Sequence, residues 1–210
     1  MTVVRCIAAA IGAAALLWPG ALRAQNVLDD VKRYDAYILS KPYLAYIEAR
    51  LNEMEPPPLA AECPAIKVAA REANWTVDDP QFASGAAAPR SGRWIDRVGV
   101  ERCGKRGTRN IFITVRGTEL LPQPMIPGRT ATSVQLQRDA IRIAAAQARI
   151  KTGCKDEMHV VDSAIEGRFQ AGAPWKEDWT LMGCKTAVVI AMTFTPDGRG
   201  GSTVAAKPKP

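Results

Sequence analysis

The sequence predicts an α+β fold: two αβββ units in succession, with mainly antiparallel sheet and one disulfide inside each unit. Three observations carry this prediction. A ten-residue segment running from Trp to Cys occurs twice without a gap. A helical periodicity opens each half. A β-rich run follows each Trp–Cys segment.

The repeated segment is Trp94-Ile-Asp-Arg-Val-Gly-Val-Glu-Arg-Cys103 and Trp175-Lys-Glu-Asp-Trp-Thr-Leu-Met-Gly-Cys184. An acid stands two residues after the Trp (Asp96, Glu177). Apolar residues stand four and six after it (Val98 and Val100; Trp179 and Leu181). Chance sharing of a Trp and a Cys is the alternative, but the order of the surrounding elements also matches. The units would span about residues 27–130 and 131–197, together forming one globular domain over 25–197.

The first helix is expected from about Val27 to Met54, with Leu28, Val31, Tyr34 and Ile38, then Leu44, Ile47 and Leu51, at helical spacing. Pro42 breaks or kinks it near Ser40-Lys41, and Pro56-Pro57-Pro58 stops it. Strands are expected at Ile66–Ala70, in the first Trp segment and at Asn110–Val115. The run Leu120–Pro127 contains three prolines and is expected to be irregular, packed across the core edge or offered to a partner. The second helix is expected from Ser133, a good N-cap, to Lys151, with Gly153 at its C-terminal end and Val134, Leu136, Ile141, Ile143, Ala145 and Ile150 as its apolar residues. Strands follow at Met158–Val161, in the second Trp segment and at Ala187–Thr195. The tail 198–210, rich in Gly and Ser and ending Lys-Pro-Lys-Pro, is expected to be disordered.

The N-terminus reads as a secretory signal peptide over residues 1–24. Arg5 supplies the positive region, Ile7–Trp18 the apolar core, and Ala21-Leu-Arg-Ala24 a cleavage site after Ala24, or alternatively after Ala21. No other stretch has the roughly 18–20 apolar residues that a membrane helix needs. A periplasmic or secreted, soluble mature chain is therefore expected. Removing Arg5 and Arg23 from the 28 basic residues leaves 26 against 21 acidic ones, a net charge of +5.

Cys6 leaves with the signal, so Cys63, Cys103, Cys154 and Cys184 remain. An even count in an exported chain points to disulfides. Their spacings of 40, 51 and 30 residues lack the CxxC pairs of a zinc site, and no metal or cofactor is expected. If the halves are equivalent, the bridges are Cys63–Cys103 and Cys154–Cys184. The chain-entropy estimate gives each about 3.5–4 kcal/mol. A crossed pattern, Cys63–Cys184 with Cys103–Cys154, is the alternative.

Charge concentrates in Arg90–Arg109, where seven basic residues face Asp96 and Glu101. Cys103-Gly-Lys-Arg-Gly-Thr-Arg109 reads as the hairpin tip carrying that charge. Arg93, Arg97, Arg102, Lys105, Arg106 and Arg109 are the candidate binding residues, for an anionic envelope component or a protein partner. Nucleic acid is not expected outside the cytoplasm. Asp96 and Glu177 share a strand face with apolar residues, so each needs a partner, whether at a site or in an ion pair. Trp75, Trp94, Trp175 and Trp179 are core residues or, in the sharper reading, a sugar-stacking platform. His159 is the lone histidine and reads as structural. No GxSxG, HExxH, Walker or GxGxxG pattern occurs.

The sequence thus points first to a non-catalytic exported binding protein that uses the basic tip. A hydrolase using Asp96 or Glu177 as acid/base, and a structural subunit of an envelope or secretion complex, are the alternatives. Non-reducing peptide mapping of the exported protein should return Cys63–Cys103 and Cys154–Cys184. Crossed bridges or free thiols would overturn the two-unit reading.

Overall fold

A computed structural model describes residues 19–210. The signal-peptide expectation falls largely on residues 1–18, outside the described ones. The first helix, α1 (Pro19–Ile38), begins just after them and runs through the expected cleavage site. It is followed by α2 (Lys41–Glu53) and α3 (Pro57–Glu62), then by β1 (Lys67–Phe82), β2 (Pro89–Arg102), β3 (Lys105–Arg116) and β4 (Glu119–Pro124). The second half comprises α4 (Val134–Thr152), β5 (His159–Glu166), β6 (Trp175–Gly183), β7 (Thr186–Pro196) and β8 (Ser202–Pro208). The strands form two four-stranded antiparallel meanders, β1-β2-β3-β4 and β5-β6-β7-β8. The fold class is α+β, as expected, but each sheet has four strands rather than three.

The extra strands arise where sequence patterns argued against regular structure. β4 contains Pro122 and Pro124, opposite Ile113 and Ile111 of β3. Both sit at alternate positions of an edge strand, where the ladder does not need their N–H. The tail expected to be disordered supplies β8, which pairs with β7 from Pro196↔Ser202 to Ile190↔Pro208. Asp197 makes the turn possible: its carboxylate accepts from the backbone N–H groups of Arg199 and Gly201. Lys209 then holds the end of the chain by bonding Glu166 and Asp178. β1 is also far longer than the expected Ile66–Ala70.

The break before Pro42 falls where the sequence places it. Ser40 caps α2 by accepting from the Tyr43 N–H, with Pro42 in the first turn. α1 and α2 bury Tyr34, Ile38, Tyr43, Ile47 and Leu51 against Trp94, Val98, Ile111 and Ile113 of the first sheet. α4 lies on the second sheet, over Trp179, Leu181, Ile190, Met192 and Phe194. Its buried residues are Gln137, Ala140, Ala144, Ala145 and Ala148, with Leu136 and Ile141 packed beside them, whereas Ile150 is 76% and Ile143 37% exposed. Alanine at 3–4-residue spacing lets the helix backbone approach large aromatic side chains beneath it.

The bridges are Cys63–Cys103 and Cys154–Cys184, with Cα–Cα distances of 6.1 and 5.8 Å. Each ties the chain after a helix to a two-residue hairpin turn. Cys103-Gly104 and Cys184-Lys185 all have positive φ, as a type I′ turn demands. Among the described residues, no helix is long and apolar enough to cross a membrane.

Two cores, one per sheet, are joined by the segment 125–133. Its Met125 and Gly128 N–H groups donate to Asn110 and Thr108 carbonyls of β3. Its Arg129 N–H donates to Ser163 of β5. Asn110 returns two bonds of 2.8 Å to the Ile126 and Gly128 carbonyls, and the Ser163 hydroxyl donates to Pro127. Gly128 is required here. Its φ is +88°, and a Cβ would lie 2.2 Å from the Ser163 carbonyl oxygen. Gly128→Ala should therefore destabilise the protein by at least about 2 kcal/mol, read as a lowered urea midpoint. An unchanged midpoint would mean that the units do not meet at this residue.

Candidate functional site

The two acids singled out by the repeated segment are both fully buried, each in the second strand of its sheet. On β2 the even-numbered residues from 94 to 100 face the helices, which places Asp96 between Trp94 and Val98. Asp96 accepts from the Tyr43 hydroxyl at 2.5 Å and from Arg71 and Asn74 at 2.6 Å each. The Tyr43 oxygen accepts in turn from the Trp94 indole N–H at 2.8 Å, and Tyr34 donates to Asn74. The network thus joins α1, α2, β1 and β2.

Glu177 is satisfied differently. It accepts from the Thr130 hydroxyl (2.7 Å), the Ala131 N–H (2.8 Å) and the indoles of Trp175 (3.0 Å) and Trp179 (2.8 Å). Four neutral donors surround this carboxylate, and none is a cation. Asp96 thus ties α2 and the neighbouring strand β1 to β2, whereas Glu177 fixes the segment that leads into α4. Neither carboxylate reaches solvent, so neither can exchange a proton with a substrate in this arrangement.

The candidate basic residues divide into two groups. Three of them, Arg109, Arg102 and Arg97, are committed within the fold. Arg109 forks onto both oxygens of Glu55, which is itself buried. Arg102 donates to the Leu59 carbonyl at 2.9 Å and pairs with Glu62 and Glu55. Arg97 donates to Asn110 and to the Thr130 carbonyl, and its guanidinium lies 4.7 Å from the Trp75 ring centre. Burial lowers the Arg97 pKa; Arg129 adds to this, while Glu72 and Glu177 oppose it. Arg93 pairs with Asp78 at the surface, a contact of little energetic weight. Lys105 and Arg106, at the tip itself, are exposed and form no ion pair among the described residues.

The tryptophans separate as well. Trp94 and Trp179 are core, Trp175 is half-buried, and Trp75 stands 43% exposed on β1. His159 opens β5, half-buried and 3.8 Å from Glu157. Among the described residues, the metal-competent grouping is Cys154, Asp156 and Cys184, and its two sulfurs are already bonded to each other. The partners Glu55 and Glu62 carry no motif; forty or more residues separate them from the arginines they hold.

Comparison of the chain with protein-family models, with curated proteins and with solved structures finds no match in any of the three.

All four tyrosines lie on α1 and α2; Tyr34, Tyr37 and Tyr43 surround the Asp96 network, and Tyr46 donates to the Leu120 carbonyl. Burial raises each of them. Tyr37 is pushed up to about 12, and the Asp96 charge adds to the burial of Tyr43. The folded state therefore holds these protons more tightly than the unfolded chain, where tyrosine titrates at 10.0. Their contribution to stability is complete below that pH and is lost as pH rises from there toward 12. Absorbance at 295 nm from Tyr34, Tyr37 and Tyr43, measured in a Tyr46→Phe background, should rise only as the far-UV dichroism collapses. Tyrosines ionising near pH 10 in a folded chain would overturn the buried network.

Proposed function

We propose that the chain is an exported, non-catalytic protein that binds an anionic envelope component through the tip of the β2–β3 hairpin. The observation that carries this reading is how the tip is presented. The turn is stapled at Cys103, and its stems are clamped by Arg102 and Arg109 against Glu55 and Glu62. Lys105 and Arg106 are left projecting from a rigid base. Fixed cations lose little side-chain and loop freedom when they meet an anion. The hydrolase reading loses the two residues it named, because Asp96 and Glu177 are sealed by structural hydrogen bonds.

Export is supported by the Arg5, apolar-core and Ala24 pattern of the N-terminus and by two disulfides, which persist in oxidising compartments. The same reading takes the two halves as tandem copies of one building block of helix and four strands. The equivalent burial of Asp96 and Glu177 and the equivalent positive-φ cysteine turns support it.

The probe is a vesicle of phosphatidylglycerol and phosphatidylethanolamine, compared with phosphatidylcholine alone. Co-sedimentation should favour the anionic vesicles and weaken as salt screens the charges. Lys105→Glu with Arg106→Glu should weaken it at least about tenfold, since each basic residue near an anionic surface contributes about 1 kcal/mol. Undiminished binding by that double variant would remove the tip from the proposal. Arg102 and Arg109 are unsuitable for the test, because changing them strands Glu55.

A further inference from the structure

Two aromatic side chains that the cores leave outside meet in one cavity. Trp75 on β1 and Phe169, just after β5, are 43% and 41% exposed. Both line a space of about 350 Å³ between the outer face of the first sheet and the second unit, together with Ile95, Met125, Ile165 and Arg97. An adjoining space of about 490 Å³ shares Arg97, Ile165 and Phe169 and adds Arg129. These sizes lie within the range of small-ligand pockets, about 300–1,000 Å³.

Both rings are held in place before any ligand arrives. The Arg97 guanidinium covers part of the Trp75 ring and is itself anchored by Asn110 and the Thr130 carbonyl. Phe169 packs edge-on against Trp175 at 5.5 Å, and Trp175 stacks on buried Phe194 at 4.9 Å. The outer face of the second sheet has no counterpart: β6 presents Lys176, Asp178 and Thr180 there. The feature is therefore specific to one junction and is not a by-product of the fold.

We infer that this groove binds a saccharide, with a pyranose ring laid on Trp75 and Phe169 and its oxygens facing Arg97 and Arg129. A pyranose has an apolar C–H face and a rim of acceptor oxygens, which matches aromatic walls bordered by guanidinium donors. An acyl chain would need an apolar channel without cations. A bare phosphate would leave both rings unused. Glu72, 3.5 Å from Arg129, and Asp162 in the adjoining space balance much of the positive charge, so neutral sugars fit as well as acidic ones.

The test is isothermal titration of the intact protein with triacetylchitotriose and with trigalacturonate. At least one should bind with a Kd below about 1 mM. Trp75→Ala and Phe169→Ala should each weaken binding at least about tenfold while keeping the far-UV dichroism and a cooperative thermal transition, because both rings are partly exposed and outside the cores. Val77→Ala, exposed on the same strand, should leave binding intact. Binding by trigalacturonate alone would assign the dominant contact to the guanidinium groups; binding by chitotriose alone would assign it to the rings. The Lys105→Glu/Arg106→Glu variant should bind the sugar normally, which separates this site from the hairpin tip. Absence of binding by both sugars at about 10 mM, or binding unaltered in both aromatic variants, would overturn the inference.

Discussion

A carboxylate taken out of water must be supplied with donors, and that demand organises this protein. Asp96 and Glu177 sit in the middle of sheets, flanked on their own strands by Trp94 and Val98 and by Trp175 and Trp179. An unsatisfied buried charge would cost several kcal/mol, so the chain that covers each sheet must deliver hydrogen-bond donors to one point. In the first unit Tyr43 on α2 and Arg71 on β1 deliver them. In the second, Thr130 and Ala131 do so before α4 begins. The helices are thereby registered on their sheets by polar contacts that a purely apolar interface would not specify.

The same demand ties the two units to each other. Thr130 serves Glu177 with its hydroxyl and Arg97 with its carbonyl, so the second unit's buried acid and the first unit's half-buried arginine share one residue. Asn110 and Ser163 then grip the same segment from either side. The junction is built of main-chain hydrogen bonds and two small cores rather than one large one, and it leaves grooves on its flanks. Those grooves hold the partly exposed rings of Trp75 and Phe169, whereas the stapled hairpin carries Lys105 and Arg106 at its tip.

What the sequence disclosed, and what it hid, follows from the range of each interaction. The Trp-to-Cys spacing, the break at Pro42, the Ser133 cap and the Gly153 terminus are local, and all were legible. The cysteine pairing was legible because the repeated pattern supplied the long-range information. β4 and β8 were not, because proline and glycine speak only of local preference, while an edge strand needs pairing on one side alone. The division of the basic run into clamped arginines and a free tip was hidden for a related reason: charge counted along the chain does not see Glu55 and Glu62, which arrive from another element. On α4, Leu136, Ile141 and Ala145 face the core as read, but Ile143 and Ile150 do not, because close approach to Trp179 and Phe194 selects the smaller alanines.

Each bridge joins two cysteines that are neighbours in sequence order, Cys63 with Cys103 and Cys154 with Cys184, and no bridge spans the other. In a chain delivered N-terminus first into an oxidising space, every second cysteine to arrive finds its correct partner already waiting. The order of emergence alone then selects one connectivity from three. For a chain exported in that way and freed of Cys6, oxidative folding would call for an electron acceptor but no reshuffling of mispaired thiols.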